Sequence, residues 1–134
     1  MANELDYEAS EEQLKKYADI YFDLLEKNRV TPHAKFHYAM SLVQSKDEKK
    51  INEGIAMLES LSKTDRRNKD EYIYYLAIGH TRLKNFYKAL DLLLIVMGRY
   101  KHDLKFCNLF KAVKEKMEMH SLNQILASLE LKKE

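Results

Sequence analysis

A chain of 134 residues, 46% hydrophobic and 33% charged, is long enough to bury one real core and too apolar to be disordered. Its 23 basic and 21 acidic residues are interspersed for a net charge of +2, which gives no support for nucleic acid as a partner. One proline and three glycines exclude a loop-rich β protein, and Cys107, the single cysteine, excludes an internal disulfide and fits a reducing compartment. The first 25 residues carry no apolar stretch of signal-peptide type. The longest apolar run, Leu92 to Met97, is far shorter than the ~20 residues of a membrane span.

Residues 1–10 read as a short polar arm. Ser10 and Gln13 then make a capping-box signature that opens a helix over 11–28, with Leu14, Tyr17, Ala18, Tyr21, Phe22, Leu24 and Leu25 at helical spacing. Thr31-Pro32 starts a second helix, a capping hydroxyl followed by proline at the first helical position. Its apolar face is Phe36, Ala39, Met40, Leu42 and Val43. Residues 45–52 read as a polar connection, and Ile55, Leu58 and Leu61 mark a third helix. After a second polar stretch, 62–70, a fourth helix is expected over 72–83 and a fifth over 85–100 with Asn85 as cap. Asp103 caps a sixth over 103–120, and an apolar patch of Leu122, Ile125, Leu126 and Leu129 follows. No segment alternates with period two for long enough to make a strand, so the class is all-α.

The stretch "YLAIGHTRLKNFYKAL" at 75–90 carries the most information. Tetratricopeptide repeats are 34-residue helix pairs with small residues where the helices cross. Leu76-Ala77 falls at the Leu-Gly pair of that pattern, Ala89 lies twelve residues on at the next small position, and Leu93 takes the aromatic position. His80 replaces the usual tyrosine and Lys101 the usual proline. A weaker copy sets Ala39, Gly54 and Leu58 in the same roles, with three extra residues in the turn around Asp47 to Lys50. Ala39, Gly54, Ala77, Gly79 and Ala89 are therefore expected to be contact residues between helices. Two repeats are fewer than a stable stack usually needs, so helices 11–28 and 103–120 are expected to cap the core at both ends.

No catalytic or metal signature competes with that reading. His33 and His37 share a helix face, but Ala34 stands where a zinc protease needs glutamate and no further ligand cluster exists. Cys107 has no orienting partner in the pattern and reads as a structural thiol on an amphipathic helix. There is no glycine-rich phosphate loop. Neither a cofactor nor a small-molecule substrate is expected.

The blocks "KFHYAMSLVQS" at 35–45, "GIAMLESL" at 54–61 and "YYLAIGHTRLKNFYKAL" at 74–90 together resemble the mitochondrial fission 1 protein family, from about Gln13 to about Ser121. The resemblance implies a six-helix bundle with two central tetratricopeptide-like pairs in a right-handed superhelical stack. It implies a non-enzymatic receptor or adaptor for organelle division, tail-anchored in the mitochondrial outer membrane, and often in peroxisomes, with the bundle in the cytosol. The implied partners are a dynamin-related GTPase or its adaptors. Carried over by position, the partner groove comprises Phe36, Met40 and Val43 on helix two and Tyr74, Ile78 and Arg82 on helix four, with residues 1–10 as an arm able to lie across it. Ile78 is expected to face this groove from outside the core. Met40 stands where many members have tryptophan, which implies a different groove shape. The family's C-terminal anchor has no counterpart in these 134 residues and is expected beyond Glu134; the bundle by itself should be soluble. The alternative, a co-chaperone clamping a partner's terminal carboxylate, needs Lys, Arg and Asn donors where this groove has Phe36, Met40, Tyr74 and Ile78.

Overall fold

The computed structural model describes residues 4–99 and 103–132. Six α-helices follow one another among them: α1 (Glu11–Glu26), α2 (Pro32–Val43), α3 (Glu48–Thr64), α4 (Lys69–Arg82), α5 (Phe86–Arg99) and α6 (Leu104–Lys132). Tyr100, the expected end of the fifth helix, and Lys101, at the pattern's proline position, lie outside the described residues, as do residues 1–3 of the arm.

Helix starts follow the local chemistry. The Ser10 hydroxyl accepts from the Gln13 amide at 3.0 Å, the Thr31 hydroxyl from Ala34 at 3.1 Å, and the Asp103 carboxylate from Lys105 at 3.0 Å. The Gln13 side chain does not complete a capping box; it reaches Ser41 on α2 at 3.4 Å and accepts from the Tyr7 hydroxyl. Two helices end on a residue in the left-handed region, Asn28 after α1 and Lys84 after α4. At the second, the Asn85 amide reaches back to the His80 carbonyl at 2.7 Å, closing the turn that reverses the chain into α5.

Three boundaries differ from the sequence reading. α3 begins at Glu48, because Asp47 caps it through the Lys49 amide at 3.0 Å, so the polar run 45–52 is largely helix. α4 begins at Lys69, after a single 3₁₀ turn over 66–68. There the Tyr72 hydroxyl donates to the Asp65 carboxylate; burial, then this bond, pushes the phenol up to about 12, and the same bond holds the Asp65 carboxyl below its usual range. α6 continues through the apolar patch to Lys132, a rod of about 43 Å. Its last turns stand clear of the bundle: residues 121–131 are exposed on every side, Ile125 to 58%. No helix among the described residues is long and apolar enough to cross a membrane.

Each helix contacts the next in sequence, and α4 also contacts α2 and α6. α2, α4 and α6 thus form an inner layer, with α1, α3 and α5 outside it. α4, at the centre, is buried without interruption from Tyr72 to Gly79, which is why its sequence is apolar all round rather than striped. The five small residues lie at the crossings. Ala39, Ala77 and Ala89 are wholly buried, and a Cβ on Gly54 would lie 2.8 Å from the Ala39 carbonyl oxygen, so α2 and α3 touch backbone to backbone. A Cβ on Gly79 would meet Ile55 at 3.0 Å. α1 caps one end with half-buried side chains, Tyr17 stacked on His37 and Tyr21 on Tyr38. Phe22 and Leu25, counted with its apolar positions in the sequence, face out.

Candidate functional site

The inner layer carries a line of aromatic contacts. Phe36 on α2 touches Tyr72 and Tyr75 on α4, both at 5.4 Å between centroids, and Tyr74 meets Phe106 on α6 edge-on at 5.5 Å. The groove residues expected from sequence divide in two. Phe36 and Met40 are half-buried and lie along the inner face of α2. Val43 and Ile78 are 0% exposed and belong to the hydrophobic core, together with Tyr74. The expectation that Ile78 stands outside the core is thereby corrected: on the central helix, packed from both sides, the face toward the concave surface is also core.

The concave surface is occupied by the chain's own arm. Leu5 is 4% exposed and joins the core cluster. On one side of it the Glu4 carboxylate faces the Tyr74 and Tyr75 hydroxyls; burial, and then this carboxylate, push both phenols well up from their ordinary range. On the other side Arg82 donates to the Leu5 carbonyl at 2.9 Å and to the Ser45 carbonyl at the end of α2, also at 2.9 Å. Tyr74, Ile78 and Arg82 are one turn apart, so these contacts bracket Ile78 and set Leu5 at its level. Asp6 pairs with Lys116 on α6 at 2.6 Å and Glu8 with Lys46 at 3.3 Å, while the Ala9 amide donates to the Gln44 carbonyl at 3.0 Å. Residues 4–9 therefore touch all three inner helices. A cavity of about 390 Å³ remains beside the arm, lined by Leu5, Asp6, Glu8, Lys46, Arg82 and Lys116 among others.

Arg82 was expected at the groove edge; its role as the arm's main anchor was not legible, because its partners are main-chain carbonyls that no sequence pattern marks. Ser45, Lys46, Lys116 and Tyr75 were missed for a related reason: each is ordinary in its own segment and is placed only by the fold. One signal was available, the alternation of acids about a leucine in Glu4-Leu5-Asp6-Tyr7-Glu8, read from sequence as merely polar.

Other chemistry-bearing groups stay apart from this face. His33 and His37 touch at 4.3 Å between centroids, and burial, with His33 beside it, holds His37 below the usual imidazole range. Among the described residues no three His, Cys, Asp or Glu side chains converge on one point. Cys107 is half-buried on α6.

A model of the Fis1 N-terminal tetratricopeptide repeat matches residues 33–65, and one of the Fis1 C-terminal tetratricopeptide repeat matches residues 70–122. The FIS1-related protein fis-1 of Caenorhabditis elegans is 34% identical over 86 residues, 63% of this chain and 60% of that protein. The mitochondrial fission 1 protein of Mus musculus is 37% identical over 82 residues, 60% of this chain and 54% of the relative, and that of Homo sapiens 42% over 62 residues, 46% and 41%. The chain thus spans between 41% and 60% of the length of these relatives. In fold it is similar to yeast Fis1 crystallised with an Mdv1 fragment containing N-terminal extension and coiled coil domains. The TM-score is 0.77 at 21% identity, over 87% of this chain and 91% of that one. The crystal structure of Fis1 from Saccharomyces cerevisiae gives 0.74 at 19% identity, over 90% and 93%. With both halves of the family's repeat pair matched in order over more than half of its length, the chain belongs to the Fis1 family, the mitochondrial fission 1 proteins.

Proposed function

We propose that this chain is the cytosol-facing, non-enzymatic receptor domain of a mitochondrial fission protein, acting also at peroxisomes, and that it binds division-machinery proteins through its concave face. The proposed groove comprises Phe36, Met40, Val43, Tyr74, Ile78 and Arg82, of which Val43 and Ile78 are buried in the core behind it. The partner is a dynamin-related GTPase or an adaptor of it. A relative of the same fold was crystallised with an Mdv1 fragment, and a segment from such an adaptor is the kind of ligand meant here. Attachment to the mitochondrial outer membrane is part of the same proposal.

The observation that carries this reading is the arm itself. Residues 4–9 lie across α2, α4 and α6 with a turn over 4–6, so the face accepts a short non-helical segment with a leucine inserted and its main chain hydrogen-bonded. The co-chaperone reading is less well supported, since its clamp needs Lys, Arg and Asn donors at the positions where this face has Phe36, Met40, Tyr74 and Ile78. The test is calorimetry of the full chain with the dynamin-related GTPase and with its adaptor. Leu5→Ser, which unseats the arm, should tighten binding, and Arg82→Ala added to that variant should weaken it again. Binding that responds to neither change would move the partner site to the outer helices.

A further inference from the structure

We propose that the groove selects a short acidic segment in which a leucine has carboxylates one residue before it and one and three residues after it, and that Glu4-Leu5-Asp6-Tyr7-Glu8 is the chain's internal copy of that ligand. This rests on the concave face being the partner site; it adds which chemistry that site reads.

The cations come from three separate parts of the fold. Arg82 is on α4, Lys116 on α6 and Lys46 in the α2–α3 turn, and all three line the same cavity. Outside the arm, the only carboxylate lining that cavity is Glu48. When the arm leaves, three positive groups face a single acid, and the Tyr74 and Tyr75 hydroxyls lose the Glu4 carboxylate. A neutral or basic segment would leave the buried Arg82 guanidinium and the Tyr74 and Tyr75 hydroxyls without an acidic partner, which is how such a site rejects the wrong ligand. The leucine is required because the slot at the level of Ile78 is closed by Leu5, buried to 4% exposure.

The arm also fits its own site imperfectly. Arg82 Nε is buried without a partner, and the Glu8 carboxylate stands 4.0 Å from the guanidinium. A ligand carboxylate placed one residue differently could grip Nε and Nη together, the paired geometry that makes Arg–carboxylate contacts strong. A true partner can therefore outcompete the arm at the one residue that holds it most firmly.

The test uses the full chain carrying Leu5→Ser, with three fluorescent peptides: Asn-Glu-Leu-Asp-Tyr-Glu-Ala-Ser, the same with its acids changed to lysine, and the same with its leucine changed to serine. Anisotropy should show the first binding, at least about fivefold more weakly in about 300 mM salt than in about 50 mM. The other two should bind at least about tenfold more weakly, and Lys116→Glu in the protein should weaken binding of the first severalfold. Amide NMR signals of residues 4–9 report the arm; if Leu5→Ser leaves it docked, leucine is not the anchor and the proposal fails. Equal binding of the lysine peptide overturns it too. If the division partner binds this variant while the acidic peptide neither binds nor competes, the concave-face reading stands and the acidic specificity falls.

Discussion

Gly54→Ala is the sharpest test of the repeat register. The new Cβ would lie 2.8 Å from the Ala39 carbonyl oxygen, 2.8 Å from Val43 Cγ1 and 2.9 Å from Leu42 Cβ. Each is about half an ångström or more inside ordinary contact, and one partner is backbone, so α2 and α3 must separate rather than a side chain turn aside. Overpacking of this kind costs about 1–3 kcal/mol. Removing a glycine from a helix interior returns roughly 0.5–1 kcal/mol. The net expectation is a loss of about 0.5–2 kcal/mol, a fall in Tm of roughly 2–10 °C for a chain of this length. Two further glycines calibrate the result. Gly98 has nothing within 4 Å of its would-be Cβ, so Gly98→Ala should hold or raise Tm. At Gly79 the nearest atoms belong to the side chains of Ile55 and Val43, at 3.0 and 3.2 Å, and the two effects should nearly cancel. Thermal unfolding followed by circular dichroism ranks the three. A Gly54→Ala protein that melts at or above the parent would mean that α2 and α3 do not cross at this residue and that the first repeat is out of register.

Ala89→Leu, at a wholly buried crossing of α4 and α5, should destabilise by about 1–3 kcal/mol in the same assay; an unchanged Tm would put Ala89 outside the contact. Ile78→Glu should cost more than about 3 kcal/mol and lose the cooperative transition, since it buries a carboxylate at a 0% exposed site; a folded, merely non-binding variant would restore Ile78 to an open groove. Lys84→Gly should raise stability by about 1 kcal/mol by relieving a left-handed residue, read from urea midpoints. Burial lowers both His37 and His80, helped by His33 in the first case and Lys88 in the second. Their neutral forms are favoured by folding, so this contribution is whole above about pH 6.5 and is lost as pH falls below it. Urea midpoints should decline from pH 7 to pH 5, and His37→Gln with His80→Gln should flatten that decline.

The helices and the repeat were legible because short-range rules fix them. Ser10, Thr31 and Asp103 cap where hydroxyl or carboxylate chemistry says they should, and Ala77 and Ala89 sit where a twelve-residue spacing needs small side chains. The start of α3 was misplaced because Asp47, Glu48 and Lys49 read equally well as a solvated turn and as a capped first turn. The end of α6 was missed because an apolar stripe with no partner carries the same pattern as one that is packed. Only the fold distinguishes them: α4 and α5 run out before Leu122, and the helix continues alone. The same fact explains how two repeats suffice. The first turns of α6 complete the inner layer through Phe106, Leu109 and Val113, all buried, so α4 is covered on both sides as an interior repeat would be.

The arm follows from none of those rules, and its energetics explain why it can serve as a lid. Closing it buries Leu5, worth about 2 kcal/mol. It also makes hydrogen bonds from Arg82 to the Leu5 and Tyr7 carbonyls and from the Ala9 amide to the Gln44 carbonyl, at about 1–2 kcal/mol each. The exposed pairs of Asp6 with Lys116 and Glu8 with Lys46 add little. The total is about 5–8 kcal/mol. Ordering residues 4–9 costs roughly 1–2 kcal/mol per residue, or about 6–12 kcal/mol over the segment. Opening and closing thus balance to within a few kcal/mol. A groove closed by so small a margin lowers a partner's apparent affinity only by the fraction of time it stands open. Modest changes in the arm, such as loss of one carboxylate or a rise in salt, then act directly on partner affinity while the six-helix core stays as it is.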